Sequence, residues 1–315
     1  MYDLIGDIHG HATPLKQLLE TLGYREVSGI FSHPEQRHVI FLGDFIDRGP
    51  DQVETVRIAR AMVDAGTALA VMGNHEFNAV AWASEDLERP GEPLRAHSDK
   101  NRNQHQAYLD QVGEGSALHR EHIAWFKTLP LYLDLDGLRV VHACWDPKSL
   151  EALYEHLDDQ QCILPDAWPE LTRKSTLAYD ALETLIKGLE ISLPAGNEFL
   201  DKDGTPRRNI RARWWELDGI TYRDLAMVPA DVIHQIPHVP IPEDLMPGYQ
   251  GDKPLFVGHY WLDGRPKPLT PHIACLDYSI AGLEFGPGDF PKLCAYQWDG
   301  EQELIADKMI WMEGK

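Results

Sequence analysis

Paired cysteine is absent from this chain. Its four thiols, Cys144, Cys162, Cys275 and Cys294, show no CxxC spacing, so neither a zinc finger nor a disulfide framework can be built on them. Long apolar runs are missing too: the longest are strand-length, against the ~20 residues a membrane span needs. Positive charge is scarce, with 29 Lys and Arg against 50 Asp and Glu and a formal net charge of −21. That balance excludes the broad basic face that duplex nucleic acid requires. The acids are spread along the chain and read as a solvated surface, and a small phosphorylated substrate stays open because bound dications would reverse the field locally. Repeats and low-complexity segments are also lacking. The first apolar run starts almost at Met1, which leaves no room for a leader, and a cytoplasmic location is expected.

What the chain does have is a set of apolar runs that stop at glycine and deliver a metal-binding side chain. Asp3-Leu4-Ile5 ends in Gly6-Asp7-Ile8-His9-Gly10. His38-Val39-Ile40-Phe41-Leu42 ends in Gly43-Asp44-Phe45-Ile46-Asp47-Arg48-Gly49, and Ala68–Met72 in Gly73-Asn74-His75-Glu76. Later runs end in His142-Ala143-Cys144 and Gly258-His259. Between the early runs stand two helical patterns, Leu15 to Leu22 after Thr13-Pro14 and another opened by Asp51 and closed by Gly66. Strand and helix in alternation predict a parallel sheet core, with ligands at the carboxyl ends of its strands.

Residues 84–102 read as a polar loop, followed by helices near 104–112 and 119–127 and a strand pair around Asp136-Gly137. Residues 146–230 read as a mostly helical insertion, with an amphipathic stretch from Lys174 to Leu189 and a turn at Asp201-Lys202-Asp203-Gly204. Pro237, Pro240, Pro242 and Pro247 mark an extended crossing. Ile273–Leu276, Leu293–Trp298 and Glu303–Ile305 are expected to close the chain as antiparallel strands.

Asp7, His9, Asp44, Asn74, His142 and His259 all stand at or just beyond a strand end. One such residue alone is usually a turn former or a hydrogen-bonded core histidine; six together point to metal. Carboxylate, imidazole and amide oxygen in one cluster suit Mn²⁺, Fe or Zn²⁺. A central carboxylate, Asp44, can bridge two ions roughly 3.5–4 Å apart that clamp a phosphoryl group.

These motifs resemble the signatures of the calcineurin-like metallophosphoesterases, closest to the bacterial phosphoprotein phosphatase branch, whose second motif carries the extra Asp-Arg seen here as Asp47-Arg48. The resemblance implies a four-layer α/β/β/α sandwich of two mixed sheets flanked by helices. It also implies one catalytic domain over 1–315 with the insertion at about 146–230. It assigns Asp7, His9 and Asp44 to one metal and Asp44, Asn74, His142 and His259 to the other. Two divalent ions are implied, Mn first, with Fe, Zn or Ni as alternatives. In the family a bridging hydroxide attacks phosphorus without a covalent enzyme intermediate. His75 resembles the acid that protonates the leaving oxygen, oriented by Asp47, and Arg48 resembles the phosphate-gripping arginine; a salt bridge to Asp47 is its other reading. The last motif departs from the common Gly-His-x-His, reading Gly258-His259-Tyr260-Trp261. A second clamp is sought among Arg207, Arg208, Arg211 and Arg213, with Arg213 favoured.

A phosphoprotein is the expected substrate on branch resemblance. The alternative is a dinucleoside polyphosphate or another nucleotide. Bacterial symmetrical diadenosine tetraphosphatases, which the chain also resembles, often lack the aspartate at the Asp47 position, whereas an aromatic surface such as Trp214-Trp215 would suit a nucleobase. A non-enzymatic metal scaffold would have lost ligands, and this chain keeps them.

Overall fold

Side-chain alternation sets the two faces of the first sheet. Leu4 and Ile40 point one way from their strands, Ile5, Val39 and Phe41 the other, and all five are fully buried. A strand buried on both faces belongs in the middle of a layered fold. The computed structural model describes residues 1–201, 204–216, 221–242, 245–249, 251, 253–282 and 290–314.

Tyr2–Ile5, His38–Phe41 and Ala68–Ala70 lie side by side and parallel, in the register Tyr2 to His38 and Val39 to Ala68. The helices Ala12–Thr21 and Gln52–Asp64 are the crossovers between them. Asp51 is the N-cap of the second, as expected. The first starts earlier than Thr13-Pro14 suggests, at Ala12, so Pro14 sits inside the first turn, where its missing N–H costs nothing. Lys292–Trp298 pairs antiparallel with Tyr2–Ile5 and carries Met309–Glu313 and Asp277–Tyr278, completing six strands. A second, four-stranded sheet runs Ile273–Cys275, Leu255–Val257, Arg139–Val141, Tyr132–Asp134.

The sheets meet through Leu4, Ile40, Val71, Val140, Phe256, Ala274 and Tyr296, which form one closed core. Each large side chain there contributes roughly 1.5–3 kcal/mol of burial. The larger core lies on the outer faces under the helices, where Leu15, Leu18, Val56, Leu182 and Leu185 gather. The result is the mixed two-sheet sandwich flanked by helices. Among the described residues no helix is long and apolar enough to cross a membrane.

Three expectations are corrected. Ile273–Cys275 runs parallel, not antiparallel, to Leu255–Val257. The last strand is Met309–Glu313, while Glu303–Ile305 lies before a single 3-10 turn at Ala306–Lys308; three residues carry too little alternation to mark a strand. The segment between Arg139–Val141 and Leu255–Val257 is mainly helical as far as Leu177–Lys187, and beyond that the described residues hold one short helix, Tyr222–Leu225, and a 3-10 turn at Ile233–Gln235. Short antiparallel pairs then follow, Glu190–Ser192 with Asn209–Arg211 and Phe199–Leu200 with Pro206–Arg207. They close a small separate core of Ile191, Phe199, Ile210, Tyr222, Leu225 and Ile236. Lys202 and Asp203 of the expected turn lie outside the described residues, although Gly204 N–H does bond back to Asp201.

Candidate metal centre and active site

The glycines at the strand ends stand where backbone or a ligand side chain already fills the space a Cβ would need. A Cβ on Gly73 would stand 2.2 Å from Asp44 Oδ1, and one on Gly258 2.1 Å from Asp7 Oδ1. The turns themselves are bent hard. His9, Asp44, Asp47, Arg48 and His259 all hold positive φ, at 45°, 51°, 72°, 75° and 71°. Five non-glycine residues in the left-handed region, each costing about 1–3 kcal/mol, mark a place where backbone comfort yields to side-chain aim.

That aim converges on Asp44. Its Oδ2 is 3.4 Å from His142 Nε2, 3.7 Å from His9 Nε2 and 3.9 Å from His75 Nε2. His9 Nδ1 bonds the Ile46 carbonyl at 3.0 Å and His142 Nδ1 the Leu42 carbonyl at 2.6 Å. Each Nδ1 thus donates to a carbonyl, which turns each Nε2 toward the carboxylate, as metal-binding imidazoles are usually held. Asn74 Oδ1 sits 2.8 Å from His259 Nδ1 and 3.3 Å from His142 Nε2. Asp7 Oδ2 accepts the His259 N–H at 3.0 Å. Asp7 Oδ1 and His9 Nε2 are buried with no hydrogen-bond partner. Buried polar atoms are rarely left so, and two orphans beside a buried carboxylate fit a cation. Two donor groups satisfy metal-holding geometry, His9, Asp44, His75 and Asp44, His142, His259, sharing Asp44. All six residues expected as ligands are brought together here.

The charges agree. Burial pushes Asp44 up, but His142 and His75 outweigh it and hold the carboxyl well below its usual range. Burial and then Asp277 push Asp7 well up. Burial, followed by the proximity of His75, drops His9 to about 3, leaving it neutral and ready to ligate. His142 goes the other way: burial opposes its charge, yet Asp44 and Asp7 lift it to about 10.

Around the cluster stands a supporting shell. Glu76 is fully buried, and its carboxylate accepts the backbone N–H groups of Asp44 and Phe45 at 2.8 Å each and of Gly73 at 3.1 Å, tying two strand-end turns together. Asp47 binds two imidazoles, His75 Nδ1 at 2.5 Å and His105 Nδ1 at 2.7 Å. Burial raises its pKa, but the bonds from His105 and His75 bring it down to about 2. Burial disfavours a charged His75, but Asp44 and Asp47 prevail and its pKa rises. Asp47 is therefore spoken for, and Arg48 is not its salt-bridge partner: the exposed guanidinium lies 4.4 Å over the Trp261 ring.

The arginine tract divides. Arg211 reaches the site, its Nη1 3.1 Å from His259 Nε2. Arg213, the favoured candidate, is paired with Glu216 at 3.9 Å and does not line the cavity over the cluster. Strand alternation would put 211 and 213 on one face, but the strand ends at Arg211 and the chain turns away before Arg213. Trp214 and Trp215 are buried; Trp214 Nε1 donates to Tyr260 Oη at 2.7 Å, so neither ring is open to a base. Sequence reasoning passed over His105, Trp261 and the anchoring role of Glu76. Only Glu76, three residues past the glycine that starts its helix, carried a signal. The four thiols are buried and in no disulfide, and burial, then Asp146, pushes the Cys144 thiol well up, far from a nucleophile.

A cavity of about 790 Å³ opens over the cluster, lined by Asp47, Arg48, Asn74, His75, Arg211 and His259 among others. A curated relative from Geobacillus sp., an asymmetrical bis(5′-nucleosyl)-tetraphosphatase PrpE, is 44% identical over 148 residues, 45% of this chain and 55% of that one. The enzyme of the same name from Halalkalibacterium halodurans is 43% identical over 74 residues, 24% of this chain and 30% of that one. The matches thus span about half or less of these relatives' length. A protein serine/threonine phosphatase from Saccharomyces cerevisiae, with similarity to human phosphatase PP5, superposes with a TM-score of 0.50 at 14% identity, over 99% of this chain and 79% of that one; the likeness shows the fold. The family model for calcineurin-like phosphoesterases matches residues 2–259, and the chain belongs to that family.

Proposed function

We propose that this chain hydrolyses a phosphate linkage in a dinucleoside polyphosphate or closely related nucleotide, at a dinuclear metal centre built on Asp44. The observation that carries the phosphoesterase chemistry is Asp44 Oδ2, ringed by three imidazole nitrogens with two orphaned buried donors beside it. The names of the relatives support the substrate class.

Asp7, His9 and Asp44 would hold one ion, and Asp44, Asn74, His142 and His259 the other. Two divalent cations, Mn²⁺ first, would supply charge neutralisation and an activated water. Arg48, set by its stacking on Trp261, grips the phosphoryl oxygens, and Arg211 takes the second clamp in place of Arg213. His75 gives its Nε2 proton to the leaving oxygen. Asp47 orients it through Nδ1, and His105 holds Asp47 from the other side. Gly73 and Glu76 keep the Asp44 and Asn74 turns in register.

A phosphoprotein is the second reading. The His75–Asp47 pair favours it, because an alkoxide leaving group needs a proton more than a phosphate does. The test is a manganese-supplemented comparison of diadenosine tetraphosphate with serine, threonine and tyrosine phosphopeptides. A preference for the dinucleotide of several hundredfold in kcat/KM, about 3–4 kcal/mol, is expected; an equal preference for a phosphopeptide overturns the reading.

A further inference from the structure

Among the described residues Arg95 is a cation with no ion-pair partner. It lies in the loop after the helix Asn74–Ala83, half-buried in a protein with far more acids than bases. Its hydrogen-bond partners among the described residues are two neutral side-chain oxygens, Asn101 Oδ1 at 3.2 Å and Gln104 Oε1 at 3.1 Å, both through Nη2. Asp47 and Glu183 act on it through space, but neither forms an ion pair with it. Taking a guanidinium partly out of water without a carboxylate is unfavourable and calls for an anion from elsewhere.

The surroundings say where that anion sits. Arg95, Asn78 and Lys187 line the catalytic cavity and also a second cavity of about 580 Å³ that continues from it. Asn78 is one helical turn beyond Asn74, on the helix that carries His75. Lys187 ends the helix Leu177–Lys187 and pairs with Glu183. The second cavity also carries Arg89, Arg173 and Lys174, of which Arg89 is paired with Asp86 and Glu92 and Arg173 with Glu88. Arg95 is thus a cation beside the cluster with which no carboxylate pairs among the described residues, on the His75 side, where the departing group would leave.

We propose that Arg95, with Asn78 and Lys187, is a second phosphate subsite that takes the phosphate next to the scissile one, so that the enzyme selects substrates with at least two consecutive phosphates. The proposal rests on the nucleotide reading above and names the residues that would enforce it. In the step concerned a water oxygen bonds to the scissile phosphorus and the anhydride P–O bond breaks. The bonding pair leaves with the neighbouring phosphate, and the proton lost by the water returns to that oxygen through His75 or solvent. Negative charge grows on the departing phosphate, and Arg95 meets it. A monoester has no phosphate there, so Arg95 acts on the choice between the two substrate classes.

The experiment compares kcat/KM for diadenosine tetraphosphate and for 4-nitrophenyl phosphate in the wild type, R95A and R95K. Calorimetry of inorganic tripolyphosphate binding to the metal-free proteins accompanies it. R95A should lower the ratio of dinucleotide to aryl activity at least tenfold, about 1.4 kcal/mol, and weaken tripolyphosphate binding similarly; R95K should recover part of both. R95Q, which keeps an N–H donor without the charge, serves if the alanine variant does not fold. A ratio that falls by less than tenfold, including a parallel loss on both substrates, overturns the subsite while leaving the nucleotide reading intact. A wild type that cleaves the aryl phosphate but not the dinucleotide overturns that reading and the subsite together.

Discussion

The strand-end turns and the arginine tract both send side chains to one cavity, the tract through Arg211, but different physics fixes them. The turns are buried, enforced by glycines that cannot carry a Cβ, and held in left-handed backbone by Glu76. The tract leaves the small β-rich unit on short strands, with guanidinium groups largely exposed and paired to surface acids: Arg207 with Asp201, Arg208 with Glu198, Arg211 with Glu190, Arg213 with Glu216. Such surface pairs are worth about 0–1 kcal/mol and rearrange readily. On the proposed reading the sandwich would carry the chemistry and the arginine tract the recognition. Substitutions in the first should abolish turnover, and in the second should alter affinity and selectivity.

The largest effect is expected at Asp44. D44N should lower kcat on 4-nitrophenyl phosphate by a thousandfold or more, about 4 kcal/mol, and abolish tight binding of the second manganese ion. Retention of both by the variant would place Asp44 outside the centre. H75N should cost roughly 10²–10⁴-fold in kcat on a substrate with a poor leaving group, and much less with nitrophenolate, which needs no proton; an equal loss on both would make His75 structural.

E76Q should lower stability by about 2–3 kcal/mol, because an amide N–H2 would face backbone donors where a carboxylate now accepts three. A melting temperature within a degree of wild type would contradict that. In the arginine tract the comparison sharpens. R211A should raise KM for a phosphate ester by about 10-fold or more and R213A by less than about 3-fold, from the difference between a clamp and a solvated pair. The reverse order would restore Arg213.

Metal loading carries its own pH signature. With no cation bound His142 holds a proton up to about 10, since Asp44 and Asp7 outweigh its burial, whereas burial and His75 leave His9 neutral down to about 3. A cation must displace the His142 proton to use Nε2. Affinity for manganese should rise with pH up to about 10, with at least one proton released per filled centre, since Asp7, pushed well up by burial and Asp277, must also ionise to ligate. Calorimetry in buffers of different ionisation enthalpy reads that number directly; no release would contradict it.

The same contrast explains what the sequence revealed. The ligand turns were legible because glycine, carboxylate and imidazole follow strands at short fixed spacing, so local chemistry and global position coincide at Asp7, Asp44, Asn74 and His259. His105 was not, because it reaches Asp47 from a helix 58 residues away, and nothing local marks a histidine as the partner of a distant aspartate. Arg211 was narrowed to four arginines but not chosen, since the strand that aims it stops at that residue. Trp214-Trp215 read as an open aromatic surface and is buried core instead, because two adjacent tryptophans signal bulk apolar surface without saying which side faces water. The helical pattern of Leu177–Lys187 was clear. The two- and three-residue strands after it carry too few alternations to be told from loop.

Anomalous diffraction from a manganese-loaded crystal tests the centre most directly. The account expects two peaks roughly 3.5–4 Å apart, both in contact with the Asp44 carboxylate, one beside Asp7 and His9 and the other beside Asn74, His142 and His259. A single peak, or two that Asp44 does not touch, would contradict it.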